Sequence, residues 1–395
     1  MSSFATPPPG ASASLKPFTV NIADSRVSEL HQLVKLSKID IPTYENQQTD
    51  GRFGISRSWL IDAKAAWEKF DWRESEKYIN SFPHFSMPVP DAKSGNAEGV
   101  FNLHFVALFS KRADAIPIVF LHGWPGSFLE FLPMLELVRG KYSEETLPFH
   151  VIVPSLPGFV FSDAPPVDRE FGAEDVARIV NAGVKMLGVG EYVVQGGDIG
   201  SRIARILAVR YPEVKAAHLN FCMMSPPADL PPSSVTSPAE QTGLTRLAAF
   251  TSTGSAYMQE HKTRPATIGL ALSSSPLALL AWIGEKFLAW TDIPPALPVI
   301  LEAVSLYYLT DTFPRSIFTY REAGIADDPA WFIDKPVGFS WFPKEVAPVP
   351  RGWVERTGRV VWWREHGRGG HFAALERPEV VWVDVERFVG SVWGK

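Results

Sequence analysis

The chain has 395 residues, 46% of them hydrophobic, which is enough to fill a core in one large domain with insertions or in two domains. Its 38 basic and 43 acidic residues give a net charge of −5 and are spread along the chain, so nothing indicates a nucleic-acid partner. The single cysteine, Cys222, excludes an intrachain disulfide, and no apolar run is long enough to span a bilayer. We expect a cytoplasmic protein that has no membrane anchor and binds a small molecule.

The first part of the chain, residues 1–95, has no clear alternation of strands and helices. The prolines at 7–9 indicate a disordered start, and amphipathic periodicity predicts helices at 24–36 and 58–70. We interpret residues 1–95 as a separate leading segment.

From residue 100 onward, strand and helix patterns alternate. Period-two alternation and short apolar runs predict strands at 100–107, 116–121, 150–153 and 192–195. Helical periodicity predicts intervening helices at 127–138, 173–187 and 201–211. Strands that alternate with helices are typical of a mostly parallel sheet with right-handed crossovers. The fold class predicted here is therefore α/β.

The alternation breaks off after a further predicted strand at 216–221. Proline and serine cluster directly afterwards, and residues 225–333 are predicted to form helices and loops. Apolar runs then predict returning strands at 337–342 and 359–363, and a closing helix at 378–389. We therefore predict a core that a helical insertion divides. The expected division is 1–95, 96–224, 225–333 and 334–395.

The stretch at 192–201 is the most informative about chemistry, because an apolar strand meets Gly-Gly-Asp-Ile-Gly and then a helix. This is the layout of a nucleophile elbow, in which small residues on both sides allow a strained turn to lift the central side chain above the sheet. The central residue is Asp198. A carboxylate can displace at an electrophilic carbon and form an alkyl ester that water cleaves. The alternative is a simple turn in which Asp198 is a helix N-cap.

A second glycine-containing stretch, at 122–127, follows a predicted strand and precedes a helix. In this position the backbone N–H of Trp124 can join that of Ile199 in an oxyanion hole. Pro125 fits the first position of the helix. We expect His122 to orient the loop rather than to act as a base, and a structural turn between strand and helix is the alternative for the whole stretch.

The third candidate, His371, lies in a glycine-bounded loop after the last predicted strand. Of nine histidines, it alone comes late enough, and on a suitable loop, to follow a nucleophile and an acid in chain order. The acid should lie near the end of the penultimate strand, where Glu345 is the candidate. Asp334, which precedes that strand, is the fallback, and a surface carboxylate is the alternative for either residue.

Four motifs, at 122–127, 196–201, 342–345 and 369–372, occur together in this order. The set resembles the epoxide hydrolases of the microsomal type, and looks closest to their soluble fungal relatives. The leading segment is similar to the N-terminal meander of that family, so the resemblance covers nearly the whole chain. It implies an α/β-hydrolase fold with a mostly parallel central sheet, a helical cap, or lid, and an N-terminal meander.

The resemblance also assigns roles to lid residues. The two lid tyrosines of the family, which bind and protonate the epoxide oxygen, map onto Tyr257 and Tyr320. Tyr307 and Tyr308 are competing candidates, although their context favours a packed helix face. The acid at 345 is Glu, as in the mammalian microsomal form, whereas a soluble fungal relative carries Asp at this position, a departure from the pattern of that relative.

The implied reaction converts aryl or alkyl epoxides and water to vicinal diols through an ester on Asp198. Water activated by His371 and Glu345 would cleave the ester, with the N–H groups of Trp124 and Ile199 as the oxyanion hole.

The implied partners are the epoxide and water, with no cofactor, metal or nucleic acid, and family analogy suggests a homodimer. No clustered His and Cys spacing, Walker motif or dinucleotide motif occurs in the sequence, which favours cofactor-free catalysis. The nearest alternative is a haloalkane dehalogenase, which shares an Asp nucleophile. A serine esterase is disfavoured because Gly-x-Ser-x-Gly is absent. A catalytically silent hydrolase-like binder is the alternative from another class.

Overall fold

A computed structural model describes residues 3–91, 99–230, 235, 237–322 and 324–394. A nine-stranded sheet runs through the described part of the chain. Its strands are β1 (Lys16–Phe18), β2 (His84–Pro90), β3 (Val100–Leu108), β4 (Ile116–Leu121), β5 (Phe149–Pro154), β6 (Tyr192–Gly196), β7 (Val214–Leu219), β8 (Ile333–Trp341) and β9 (Gly358–Glu365).

The α-helices fall into four groups along the chain. Those of the leading segment are α1 (Asp24–Leu36), α2 (Arg57–Trp67) and α3 (Trp72–Ile79). Those between the first core strands are α4 (Leu132–Lys141), α5 (Ala173–Met186) and α6 (Asp198–Arg210). Those that follow β7 are α7 (Pro238–Ala249), α8 (Ala256–Thr263), α9 (Pro265–Ser273), α10 (Pro276–Ala289), α11 (Leu297–Leu309) and α12 (Thr312–Ser316). The last are α13 (Arg351–Val354), α14 (Ala373–Glu376) and α15 (Pro378–Val392).

The strand order is β1-β2-β3-β5-β4-β6-β7-β8-β9. The six strands β5, β4, β6, β7, β8 and β9 pair in parallel, each with the next in this order. Strands β1, β2 and β3 are antiparallel to one another, and β3 also pairs antiparallel with β5. The central strands β5 and β6 are buried along their whole length, as expected when helices cover both faces of a parallel sheet. The predicted α/β class with a mostly parallel sheet is confirmed.

The leading segment contradicts two expectations. The start of the chain is packed rather than disordered, since the Phe4 side chain is 5% exposed and its carbonyl accepts a hydrogen bond from the Phe109 N–H at 3.0 Å. The segment also supplies β1 and β2 to the main sheet, where only helices had been predicted. Both missed strands are short or contain proline, Pro88 and Pro90 in β2, and proline in a strand weakens the sequence signal.

Helices α7 to α12 lie between β7 and β8, within the predicted insertion. They pack over the end of the sheet where the parallel strands terminate; Tyr257 of α8, for example, stacks on Trp124, which follows β4, with ring centroids 5.3 Å apart. Over the described residues, no single helix has the length and apolar character needed to cross a membrane. The pair α9 and α10 passes that test only jointly, and it is bent by 116°.

Candidate active site

The carboxyl ends of β4, β6, β8 and β9 converge at one edge of the sheet. Asp198 lies directly after β6, as the first residue of α6, and its φ of +46° is rare for a residue with a side chain. A Cβ at Gly200 would lie 2.1 Å from the Leu121 carbonyl oxygen, so only glycine fits beside this turn. The N-cap of α6 is Gly197, so the alternative of Asp198 as a cap is wrong. The strained turn has the geometry of a nucleophile elbow.

The loop after β4 packs against the Asp198 carboxylate. The Trp124 N–H donates a hydrogen bond to Asp198 Oδ1 at 2.7 Å. A Cβ at Gly123 would lie 2.1 Å from the same oxygen, so this glycine is needed for the close approach. Ile199 is the second residue of α6, where backbone N–H groups have no partner within the helix. The structure therefore brings both predicted oxyanion-hole residues to the elbow.

Two smaller predictions for this loop have opposite outcomes. Pro125 does not begin a helix; the Trp124–Pro125 peptide is cis, and Ser127 caps the 3-10 helix Phe128–Phe131 by accepting from the Leu129 N–H. His122 does orient the loop, because its Nε2 accepts a hydrogen bond from the Leu156 N–H at 3.0 Å. Burial lowers the pKa of His122 to about 4, which keeps the ring neutral and suited to accepting that bond.

His371 lies between Asp198 and the carboxylate of Glu345. Its Nδ1 lies 2.6 Å from Glu345 Oε1, and its Nε2 lies 3.5 Å from Asp198 Oδ2. His371 and Glu345 are both buried, at 7% and 2% exposure. The loops that carry them are held together, since the Lys344 N–H donates to the Gly369 carbonyl at 3.0 Å. The fallback acid, Asp334, is exposed at the start of β8.

Electrostatics at this pair favour a charged imidazole. Burial acts to lower the pKa of His371, but the charge of Glu345 and hydrogen bonds to Asp198 and Glu345 outweigh it and raise the pKa well above its usual value. Because Asp198 contributes to that rise, any reaction that neutralises Asp198 lowers the pKa of His371 again.

The two predicted lid tyrosines line the same cavity as Asp198. Tyr257 lies in α8 and Tyr320 in the 3-10 helix Ile317–Arg321, with ring centroids 5.9 Å apart. The Tyr320 hydroxyl is buried; it interacts with the Tyr257 hydroxyl but forms no hydrogen bond of standard geometry in the described structure. Burial, with a contribution from the charge of Asp198, raises the pKa of both phenols well above the usual value. Both hydroxyls are therefore protonated donors at neutral pH.

The competing tyrosines are placed elsewhere. Tyr307 is buried in α11, and its hydroxyl donates a hydrogen bond to the Gly126 carbonyl at 2.7 Å, so it supports the oxyanion loop. Tyr308 is only half-buried, on the side that faces the leading segment. The interpretation of this pair as a packed helix face is confirmed for Tyr307.

Two cavities meet at Asp198. The larger, the lid cavity, has a volume of about 520 Å³ and is lined by Asp198, Ile199, Phe221, Phe250, Tyr257 and Tyr320, among others. The smaller, the inner cavity, has a volume of about 20 Å³ and lies between Asp198 and His371, where Glu130 and Gln195 also line it. Asp198 therefore borders both a space for a small molecule and a space of the size of one water molecule.

Sequence reasoning missed several residues that contact this site. The Trp290 carbonyl accepts a hydrogen bond from the His371 N–H at 2.9 Å, and the Lys286 ammonium lies 4.6 Å from the centroid of the Tyr257 ring. No local pattern marks either residue, because each reaches the site through packing of the lid. Glu130 had a usable signal, since it is an acidic residue within the apolar run 128–132 that follows the oxyanion loop.

Comparison with known proteins agrees with this geometry. A family model described as "alpha/beta hydrolase fold" matches residues 116–265, and one described as "Epoxide hydrolase N terminus" matches residues 15–131. The sheet order, the elbow and the insertion together define an α/β hydrolase, so the predicted fold class is confirmed.

Full-length relatives specify the family. The chain is 43% identical over 401 residues to the "Putative epoxide hydrolase" of Dothistroma septosporum, covering 100% of this chain and 94% of that protein. The structure of Aspergillus niger epoxide hydrolase is similar with a TM-score of 0.94 at 52% identity, covering 99% of this chain and 100% of that one. Juvenile hormone epoxide hydrolase from Bombyx mori is similar with a TM-score of 0.85 at 26% identity, covering 97% and 95%. The chain belongs to the epoxide hydrolase family, and it is an enzyme of that class.

Proposed function

We propose that the enzyme opens epoxides to vicinal diols through a covalent ester on Asp198, with His371 and Glu345 cleaving the ester. The observation that carries this proposal is the position of Asp198 at a strained elbow, within 3.5 Å of a His–Glu pair and in one cavity with two phenols. A carboxylate so placed can attack carbon, and the phenols stabilise the oxygen that leaves.

In the first step, Asp198 Oδ2 attacks a ring carbon of the epoxide and the bond between that carbon and the ring oxygen breaks. The alkoxide takes a proton from Tyr257 or Tyr320, and the other phenol donates a hydrogen bond to it. Asp198 Oδ1, which accepts from the Trp124 N–H, becomes the carbonyl oxygen of the ester. The oxygen that must later carry negative charge is therefore already in the oxyanion hole.

In the second step, His371 Nε2 removes a proton from water while the water oxygen bonds to the carboxyl carbon of Asp198. The N–H groups of Trp124 and Ile199 stabilise the tetrahedral oxyanion. Collapse breaks the bond between that carbon and the alkyl oxygen, and His371 returns its proton to the leaving diol. Asp198 is regenerated, and one water is consumed for each epoxide.

The pKa of His371 supports this order of steps. Before the ester forms, the charges of Glu345 and Asp198 hold the pKa high, so the imidazole is protonated. Esterification removes the Asp198 charge, so the pKa falls while Glu345 continues to orient the ring. The proton that His371 then releases replaces the one that the tyrosine gave to the alkoxide, so the phenol is restored. The imidazole is thus converted to a base after the nucleophile has reacted.

The substrate class follows from the lid cavity. Its volume of about 520 Å³ lies within the range of sites for small organic ligands, and Phe221, Met223, Leu247 and Phe250 contribute apolar walls. We propose that aryl or alkyl epoxides occupy it, and that catalysis needs no cofactor.

The organisation of the molecule is a further part of the proposal. We propose that 1–95 form the N-terminal meander, that 96–224 and 334–395 form the core and that 225–333 form the lid; the first boundary lies in 92–98, outside the described residues. We also propose a cytoplasmic homodimer in which the leading segment contributes to the interface. Exposed apolar side chains in that segment support such a contact, namely Leu36, Ile41 and Tyr44. Light scattering should give a mass of twice 43.7 kDa, and a monomer mass would contradict the dimer.

The decisive experiment is single-turnover mass spectrometry of His371→Gln with styrene oxide. Removing the base should arrest the reaction after the first step, so we expect an adduct of substrate mass on the peptide that contains Asp198. Asp198→Asn is the matched control and should show no adduct. Absence of an adduct in His371→Gln, together with halide release from haloalkanes by the wild type, would favour a dehalogenase instead.

A further inference from the structure

The inner cavity contains polar groups that the two-step mechanism leaves without a role. Gln195 is 1% exposed, and its Oε1 has no hydrogen-bond partner, although its Nε2 donates to Asn220 Oδ1 at 2.8 Å. The Glu130 carboxyl also lines this cavity. Within the part of the chain that the structure describes, no group forms a hydrogen bond to that carboxyl. Gln195 Oε1 is buried and the Glu130 side chain is half-buried, and unpaired polar groups in such positions are unfavourable, so a ligand for them is expected.

Glu130 is held in this position by the loop after β4. A Cβ at Gly126 would lie 2.4 Å from Glu130 Oε2, so the carboxyl lies directly against the backbone of the loop that forms the oxyanion hole. Glu130 is close enough to His371 and Asp198 for both charges to act on its carboxyl. Burial raises the pKa of Glu130 to about 8, with His371 opposing the rise and Asp198 adding to it. At neutral pH the group is a neutral carboxylic acid, which can both donate and accept hydrogen bonds.

The size of the inner cavity restricts what these groups can bind. A volume of about 20 Å³ accommodates one water molecule, for which about 10–15 Å³ is required. A water in this space has His371 as a proton acceptor, Glu130 and Gln195 as further partners and the carboxyl carbon of Asp198 beside it. Two to four polar partners are what a buried water needs.

We propose that Glu130, with Gln195, holds the hydrolytic water in the inner cavity and aims it at the carboxyl carbon of Asp198. Glu130 is a positioning residue: the water gives its proton to His371, and Glu130 only shares hydrogen bonds with the water. The epoxide occupies the lid cavity, so the water and the substrate reach Asp198 from separate cavities. This inference rests on the proposed ester mechanism, and it concerns the second step alone.

The test separates the two steps by rapid mixing with styrene oxide, acid quench and intact-mass measurement of the ester. In Glu130→Leu we expect ester formation within about threefold of the wild type and ester hydrolysis slowed about 100-fold, the usual effect of a misplaced reactant. The ester should therefore accumulate. Glu130→Gln retains a donor and an acceptor and should recover most of the hydrolysis rate. Glu136→Leu, which changes an exposed Glu of α4, is the matched control and should leave both steps unchanged.

The possible outcomes separate failure of this inference from failure of the proposed function. Hydrolysis at the wild-type rate in Glu130→Leu, or equal slowing of both steps without recovery in Glu130→Gln, would overturn the role of Glu130 while the ester mechanism stands. Absence of an ester in every variant, including His371→Gln, would overturn the proposed function and this inference with it.

Discussion

The sheet edge and the lid hold their reactive groups in different ways. On the sheet edge, Asp198 accepts from a backbone N–H at 2.7 Å and His371 is bonded to Glu345 at 2.6 Å. On the lid, the Tyr320 hydroxyl forms no hydrogen bond of standard geometry in the described structure, and Tyr257 and Tyr320 are held by ring contacts with Trp124, at 5.3 and 5.9 Å between centroids. Asp198 and His371 at the sheet edge are thus held by hydrogen bonds within the protein, whereas the Tyr320 hydroxyl on the lid still has hydrogen-bonding capacity for a ligand.

This difference shows how the sheet edge and the lid contribute differently to the binding of the substrate and of the transition state. A buried hydroxyl without a partner costs about 1–3 kcal/mol, and in the proposed mechanism the cost is recovered when an epoxide oxygen accepts its hydrogen bond. That recovery grows as charge develops on the oxygen, which favours the transition state over the bound substrate. The bonds at the sheet edge instead exist before the substrate arrives. We therefore expect substitutions in the sheet edge to cause the larger losses in catalytic rate, and substitutions in the lid to cause smaller ones.

The largest expected effect is that of Glu345→Gln, which removes the charge that orients His371. We expect kcat to fall about 10³- to 10⁴-fold, because an amide favours the wrong imidazole tautomer at a bond of unchanged length. Stopped-flow measurement should place the loss in ester hydrolysis. Asp334→Asn is the matched control, since Asp334 is exposed and was the alternative acid. A large loss in Asp334→Asn with a small one in Glu345→Gln would break the proposed division of roles.

A smaller effect is expected for each lid tyrosine. Tyr257→Phe and Tyr320→Phe should each slow ester formation about 100-fold, the usual effect of losing one donor to a developing oxyanion, and leave ester hydrolysis unchanged. The double variant should lose more than either single variant, because one phenol partly replaces the other. Tyr308→Phe, at a half-buried position outside the site, is the control. Slowing of hydrolysis rather than of ester formation would contradict the role of the lid.

The smallest effect on activity is expected from a buried pair beneath the sheet edge. Asp384 Oδ2 accepts hydrogen bonds from Ser340 of β8 and from His366, which follows β9, both at 2.6 Å. Although burial opposes it, these bonds lower the pKa of Asp384 below its usual value. We expect Asp384→Asn to lower the free energy of unfolding by about 2 kcal/mol at pH 7, the usual value for bonds to a charged group, with kcat little changed.

The pH dependence of this effect has a defined sign. A folded-state pKa below the unfolded one stabilises the protein above the unfolded value of 3.8, and the contribution is lost as the pH falls through the folded value. The difference in urea midpoint between wild type and Asp384→Asn should therefore shrink below about pH 4. Glu379→Gln, an exposed change on the same helix, is the control. A difference that grows on acidification would contradict the assignment.

Local patterns predicted most of the core. The helix expected at 24–36 coincides with α1, and the strand expected at 116–121 coincides with β4. Agreement fails where a local signal is weak or misleading. The helix expected from residue 201 begins at Asp198. The prediction missed its first turn because the glycines of the elbow have a low helix propensity. Residues 7–9 suggested disorder, but the chain beside them packs on β3.

The sequence by itself determined the class of chemistry, because the elbow and the glycine loop are short motifs whose backbone strain is set by neighbouring residues. An aspartate at the centre of the elbow favours the proposed attack on carbon, which forms an ester that water cleaves. Only the tertiary structure decided that Glu345 rather than Asp334 reaches His371, and that Glu130 and Gln195 enclose a space for one water beside Asp198. These contacts join residues far apart in the chain, so they depend on how the loops and the lid pack at the edge of the sheet.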